Sequence, residues 1–394
     1  MVSRSLVVQL FWVAFGILVV STVIGLVTLW PADRTVEQPA GLVRPKTLRA
    51  EVVAIAAAPC RAPGQRDCRT ATIELREGPD EGERATLMVI DPPDRLDLDV
   101  GDGVRVAENR LPPEAVVGGV KIDPYSLADF ERRMPLLWLA LAFAALVIIT
   151  GRWQGVRALI GLGASLAIVT LFVVPAILDG SSPPGVALVG SLAIMLVTLV
   201  VTHGFGPKML AATLGTTAAL LLTLGLGSLF IGLVHLTGLA SDEAIFLRAS
   251  VGDISITGLL LAGMVIGALG VLDDLTVSQA STVLALRRAN PALGFGRLFR
   301  GAIAVGHDHI AATVNTLVLA YAGAALPILL IFSLGSTTFG DAVNSEAVAA
   351  EIVATLVGSI GLIAAVPLTT ALAALLAARM APGSIPADEH AHAH

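Results

Sequence analysis

Eight apolar runs dominate the chain, at approximately 6–30, 135–151, 155–178, 185–203, 208–236, 254–272, 309–334 and 349–378. Most of them reach the ~20 residues that a helix needs to cross a hydrocarbon core about 30 Å thick. A bilayer offers the backbone no hydrogen-bond partners, so runs of this kind must be helical. Composition agrees, with 55% of the 394 residues apolar and only 14% charged, against about 25% charged in a soluble domain. The expected fold is mainly α, a polytopic transmembrane bundle of about eight spans whose first partner is the lipid bilayer. The net charge of −6 gives no reason to expect nucleic acid.

The first run is too long for a signal-peptide core of ~7–15 residues, so residues 1–30 read as a retained anchor. Orientation follows from short loops, because Lys and Arg concentrate on the cytoplasmic side. With the N-terminus inside, the short inner segments hold Arg4, Arg152, Arg157, Lys208, Arg287, Arg288, Arg297, Arg300 and Arg379, and the short outer loops hold only Arg248. Both termini are then cytoplasmic and residues 31–134 extracytoplasmic. Residues 135–380 form a seven-span bundle. The last stretch, 381–394, carries His390, His392 and His394 and reads as a disordered tail.

Residues 31–134 read as a small β domain. Short alternating stretches are expected as strands at Thr47–Ile55, Thr70–Arg76, Glu83–Ile90, Gly103–Ala107 and Gly119–Ile122, separated by Gly78-Pro79, Asp91-Pro92-Pro93 and Gly101-Asp102-Gly103. Five short strands suggest a β-barrel-like domain, OB-like in shape. With 15 Lys and Arg against 19 Asp and Glu, and no row of aromatics, it does not look like a single-strand binder. An envelope protein partner fits better. Cys60 and Cys68 bracket the loop between the first two strands, and on the oxidising side of a membrane they are expected to form a disulfide.

Ionisable residues concentrate near one end of the bundle. Asp273 and Asp274 close the sixth run, and His307, Asp308 and His309 precede the seventh, with Asn315 two turns deeper. His203 ends the fourth run at the same expected depth. The carboxylate pair reads equally as a solvated or capping helix end, with Gln279 nearby, and as a cation or proton site. On a helix His307 and His309 point about 200° apart, so a shared metal would need a non-helical backbone at Gly306, whereas Asp308 and Asn315 share a face. An Asn in a membrane helix is commonly an interhelical hydrogen-bond partner. Gly263 and Gly267 have the spacing of a close helix contact. Residues 275–290 read as an amphipathic interfacial helix, and Arg287, Arg288, Arg297 and Arg300 as basic groups facing anionic lipid. The motifs imply no cofactor, and whether the Asp and His residues hold a metal stays open. There is no GxSxG, Walker A or CxxC sequence.

The stretches GVLDDLTVSQA and GHDHIAATVNTLVLAYAGAALPILL resemble the YibE/YibF-like multi-pass membrane proteins of bacteria, as does the order of anchor, small domain and membrane block. The resemblance implies a bacterial plasma membrane location and this architecture. The residues that match its motifs are Asp273, Asp274, Gln279, His307, Asp308, His309 and Asn315. The expected activity is that of a secondary transporter, not an enzyme, with Asp274 and Asp308 as coupling carboxylates, His307 and His309 tuning them, and Asn315 lining a path. A membrane scaffold whose outer domain binds an envelope partner is the alternative, and a membrane-embedded metal-dependent hydrolase is a third.

Overall fold

The computed structural model describes residues 6–32, 47–58, 68–90, 98–109, 116–117, 120–121, 124–251, 254–335 and 338–380. Cys60, and with it the expected disulfide, lies outside the described residues, as do Arg4 and the tail 381–394. The chain divides into two compact units, Met1–Glu37 with Gly151–His394, and Gln38–Thr150.

The second unit holds a five-stranded antiparallel sheet built from β1 (Thr47–Ala57), β2 (Cys68–Leu75), β3 (Arg84–Ile90), β4 (Gly103–Glu108) and β7 (Tyr125–Phe130), in the order β3-β2-β1-β4-β7. Two short strands, β5 (Val116–Val117) and β6 (Val120–Lys121), pair separately. The stretch at 119–122 therefore does not supply the fifth strand of the main sheet; Tyr125–Phe130 does, pairing with β4 across a register shift at Arg105/Val106. That strand leads almost directly into Pro135, so on sequence it reads as a linker to the next helix. The sheet curls until β3 and β7 approach one another. Alternation along the strands buries Leu48, Ala50, Val52, Ile73, Leu75, Val104 and Val106 on one face. On the other face Arg105 donates to Thr47 O at 2.6 Å and to Glu77 Oε2 at 3.1 Å, tying β4 to β1 and to the connection between β2 and β3.

The first unit is helical. Its elements are α1 (Leu6–Thr28), the second part of α2 (Arg133–Ile168), α3 (Val174–Leu178), α4 (Pro183–His203), α5 (Pro207–Leu233), α6 (Asp242–Ser250), α7 (Ile256–Ala289), α8 (Phe295–Ala324), α9 (Leu326–Leu334), α10 (Phe339–Asn344) and α11 (Glu346–Arg379). The unit boundary falls inside α2, beside Arg152, whose φ of 49° and ψ of −129° interrupt the helix. Between α2 and α3, Val169–Val173 widens to a π-helical turn just before Pro175, which has no N–H to continue the α pattern. Pro183 and Pro207 each occupy a first helical position, where a missing N–H costs nothing. Among the described residues, six helical stretches are long and apolar enough to cross a membrane, and α8 with α9, bent by 57°, passes the same test as a pair.

The centre of the bundle is the mutual packing of α5, α7 and α11, with α4 laid on α7, and α8 on α11 and α7. Glycines set how closely they approach. A Cβ at Gly215 would collide with Thr369, and one at Gly361 with Thr223. One at Gly306 would lie 2.6 Å from Val366 Cγ1 and 2.9 Å from Gln279 Nε2. Gly263 behaves differently: a Cβ there meets nothing within 4 Å, and one at Gly267 meets only the Tyr321 hydroxyl at 3.5 Å. The GxxxG spacing is therefore not a close helix contact within the described residues, and the close contacts fall at glycines with no such spacing.

Two expectations about the ends of spans change. α7 runs unbroken for 34 residues, about 51 Å at 1.5 Å per residue, so Asp273 and Asp274 lie in its middle. Leu275, Thr276, Gln279, Ala280, Val283 and Leu284 are buried, which makes 275–290 part of the bundle core and not an interfacial helix. Arg287 is likewise only 8% exposed and does not face lipid. Its Nη1 donates to Pro291 O and, at 2.6 Å, to Leu293 O, clamping the turn between α7 and α8. Arg297 and Arg300 are exposed and donate to Ala292 O and Gly296 O.

Candidate functional site

A cavity of about 490 Å³ opens between the second part of α2, α4 and α7, and its polar lining is Ser165, Thr198, Thr202, His203, Asp273 and Asp274. Gly161 and Gly270 give it room on two sides, since a Cβ at Gly270 would meet nothing within 4 Å. Asp273 points into the contact with α4, five residues before that helix ends at His203. Thr198 Oγ1 lies 3.4 Å from Asp273 Oδ2, but that hydroxyl has one proton and lies closer, at 2.9 Å, to Ile194 O. The other carboxylate oxygen, Oδ1, is buried and has no hydrogen-bond partner among the described residues. A half-buried carboxylate with one enclosed oxygen and so few donors favours a counter-charge, either a proton or a cation. Asp274 is the exposed member of the pair. No Lys or Arg is among the residues that line the cavity. At its edge, His203 Nδ1 is 3.3 Å from Lys208 Nζ.

The backbone of Asp273 is held by a second set of hydroxyls. Thr276 Oγ1 donates to Asp273 O at 3.1 Å and lies 2.6 Å from Thr216 Oγ1 on α5. One turn further, Gln279 is fully buried and accepts from Thr370 Oγ1 of α11 at 3.0 Å. Its Nε2 has no hydrogen-bond partner among the described residues and lies against Gly306. Gln279 therefore belongs to a polar seam inside the α5–α7–α11 core, separate from the cavity.

The sequence-predicted residues thus divide into three places. Asp273, Asp274 and His203 meet at the cavity. Gln279 is in the core. His307, Asp308, His309 and Asn315 are all exposed on α8, and none lines the cavity. α8 begins at Phe295, so the His-Asp-His sequence lies inside a continuous helix, and regular geometry through Gly306 directs His307 and His309 to different sides. Among the described residues no group of three or more His, Cys, Asp and Glu side chains is placed to hold a metal ion. The reading from sequence overlooked Thr198, Thr202 and Thr276. The available signal was the pair Thr198 and Thr202, four apart on one helical face and ending at His203.

Long apolar helices packed around a half-buried carboxylate, with few charges in the interior, define a multi-pass membrane protein. Residues 139–379, more than half of the chain, match the model of the YibE/F-like protein family, and the chain belongs to that family. No curated protein and no solved structure matches it.

Proposed function

We propose that this protein is a secondary transporter whose Asp273–Asp274 cavity takes up a proton or a small hard cation. The observation that carries the reading is the buried, unpartnered Asp273 oxygen beside a second carboxylate in a cavity whose remaining polar lining is Ser165, Thr198, Thr202 and His203. Oxygen ligands of this kind suit hard cations and protons, and ionisable groups inside membrane bundles commonly mark ion paths. The coupling pair is then Asp273 with Asp274, and Asp308 is assigned no part in it.

The same reading takes Arg133–Leu178 as two spans meeting at Arg152, because 46 residues of straight helix would extend about 69 Å, twice the hydrocarbon thickness. With α8–α9 as one span the total is eight, both termini lie in the cytoplasm and the sheet unit lies outside. The strand order β3-β2-β1-β4-β7, with β3 and β7 brought close, supports reading the sheet as an OB-like domain. Such a domain suits an envelope partner.

The test is ion flux in proteoliposomes, read with an internal pH dye under imposed Na⁺, K⁺ and Mg²⁺ gradients. Asp273→Asn and Asp274→Asn should each reduce the coupled flux at least tenfold with membrane abundance unchanged, and Asp308→Asn should retain it. Wild-type flux in both Asp273→Asn and Asp274→Asn would end this assignment. Deletion of residues 40–130 separates the scaffold reading, in which all function is lost, from a transporter that keeps basal flux.

A further inference from the structure

Two ionisable side chains lie between the cavity and the far end of the bundle and have no part in the site described above. α7 and α11 set out from one level, since Thr257 Oγ1 donates to Thr237 O at 3.1 Å and the Glu346 carboxylate accepts from Thr237 N at 2.6 Å. They run on side by side to the bond between Thr370 and Gln279. Counted from that level at 1.5 Å per residue, Glu351 lies about 7.5 Å in, Gly267 about 15 Å and Asp273 about 24 Å. The Tyr321 hydroxyl of α8 occupies the middle level, 3.5 Å from where a Cβ on Gly267 would be. α8 and α11 pack antiparallel, with Gly306 against Val366 and Leu317 against Gly358, and the same register sets Tyr321 level with Glu351. The charge of Glu351 reaches the Tyr321 hydroxyl. Both side chains are half-buried, and neither makes a hydrogen bond or ion pair among the described residues.

We infer that Glu351 is a proton-binding site and that the Tyr321 hydroxyl relays its proton towards Asp273 and Asp274. The inference rests on the reading of the Asp273–Asp274 cavity only for the end of the relay, and it narrows the ion to a proton. A hard metal cation takes about six or more oxygen ligands. The carboxylates nearest to Glu351 in sequence are engaged elsewhere, Glu346 at Thr237 and Asp341 at Thr338 Oγ1, 2.6 Å away. The Thr355 hydroxyl is turned to Glu351 O at 2.7 Å. A proton needs only the one carboxylate. An O–H bond forms at Glu351 and breaks as the Tyr321 oxygen takes that proton, while the phenol gives up its own. Gly267 and Gly270 follow on one exposed face of α7, and Gly270 lines the cavity, so open space leads from the phenol to Asp274. No other titratable group intervenes. Between these levels α4, α5 and α7 carry none, α8 carries only Tyr321 beyond His309, and α11 carries none from Ile352 to Ala378. Ionisable side chains inside a membrane bundle commonly mark proton paths.

The experiment is labelling of the full wild-type chain in lipid vesicles with a hydrophobic carbodiimide, which adds to protonated carboxyls, read by peptide mass spectrometry. Glu351 should be labelled, and the yield should fall roughly tenfold or more between about pH 5 and about pH 9 as the carboxyl loses its proton. Glu243, exposed on α6, is the comparison and should label less. No label on Glu351, equal yields at both pH values, or a yield at Glu243 that matches it throughout overturns the proposal, whatever becomes of the Asp273–Asp274 reading. The relay is read by proton flux in proteoliposomes. Glu351→Gln and Tyr321→Phe should each lower it roughly tenfold or more with membrane abundance unchanged, and Glu351→Asp should keep more flux than Glu351→Gln. Full flux in Glu351→Gln together with loss in Asp273→Asn would take Glu351 off the path and leave the transporter standing.

Discussion

Single atoms decide how this bundle closes. At Gly215 and Gly361 there is no room for a Cβ, because Thr369 and Thr223 occupy the space. Gly215→Ala is expected to destabilise the protein by about 1–3 kcal/mol, the usual cost of overpacking a tight core. At Gly263 the space is open, so Gly263→Ala should be neutral or stabilising by up to about 1 kcal/mol from helix propensity. Thermal unfolding of the two variants in one detergent checks both, and equal losses would contradict the packing described. Part of the residue-scale arrangement was legible from sequence. Asp273, Asp274 and His203 were singled out as ionisable groups at a shared depth, and they do line one cavity. Which glycines matter was not legible, since close approach depends on what the facing helix presents, and spacing along one helix does not contain that information.

At the scale of elements, the α7–α8 connection is the best illustration of a charge used as structure. Arg287 is buried and directed at the carbonyls of Pro291 and Leu293. Arg287→Ala should cost on the order of 2 kcal/mol, since bonds to a charged donor are worth about 1.5–3 kcal/mol. Arg297→Ala, which removes an exposed side chain, should cost under about 0.5 kcal/mol. The comparison is made by thermal unfolding of the two variants, and a larger loss for Arg297→Ala would refute the clamp. Apolar length made every long helix visible in the sequence. It did not mark where a helix ends once it leaves the hydrocarbon, because a polar residue inside a protein core and one at a water interface look alike in one dimension. The sixth run ends at Asp274 in the sequence, yet α7 continues to Ala289 through Thr276 and Gln279, which hydrogen-bond to hydroxyls of α5 and α11. β7 was missed for a related reason: its alternation is short and it abuts a membrane helix.

For the whole molecule, the two compact units should respond separately to conditions. Tyr125 is buried in the sheet unit and donates to Asp80 Oδ2 at 2.9 Å. Burial, followed by the Asp80 hydrogen bond and its charge, pushes the phenol up from 10 to about 12. A raised value favours the neutral form in the folded state, so the stabilisation is complete below pH 10 and is lost as pH climbs through 12. The sheet unit should therefore weaken across that window, and Tyr125→Phe should flatten the slope. Alkaline unfolding of the full protein, followed by proteolysis within 47–130, reads this directly, and an unchanged slope in Tyr125→Phe would contradict it. The tight helix approaches at Gly215, Gly306 and Gly361 also have a consequence for heredity. Every base change that turns a glycine codon into that of another amino acid adds at least a Cβ, so apart from synonymous third-base changes these three codons have almost no neutral neighbours. In a saturation mutagenesis library selected for folded protein they should be nearly invariant, while the codons for Gly263 and Gly270 drift.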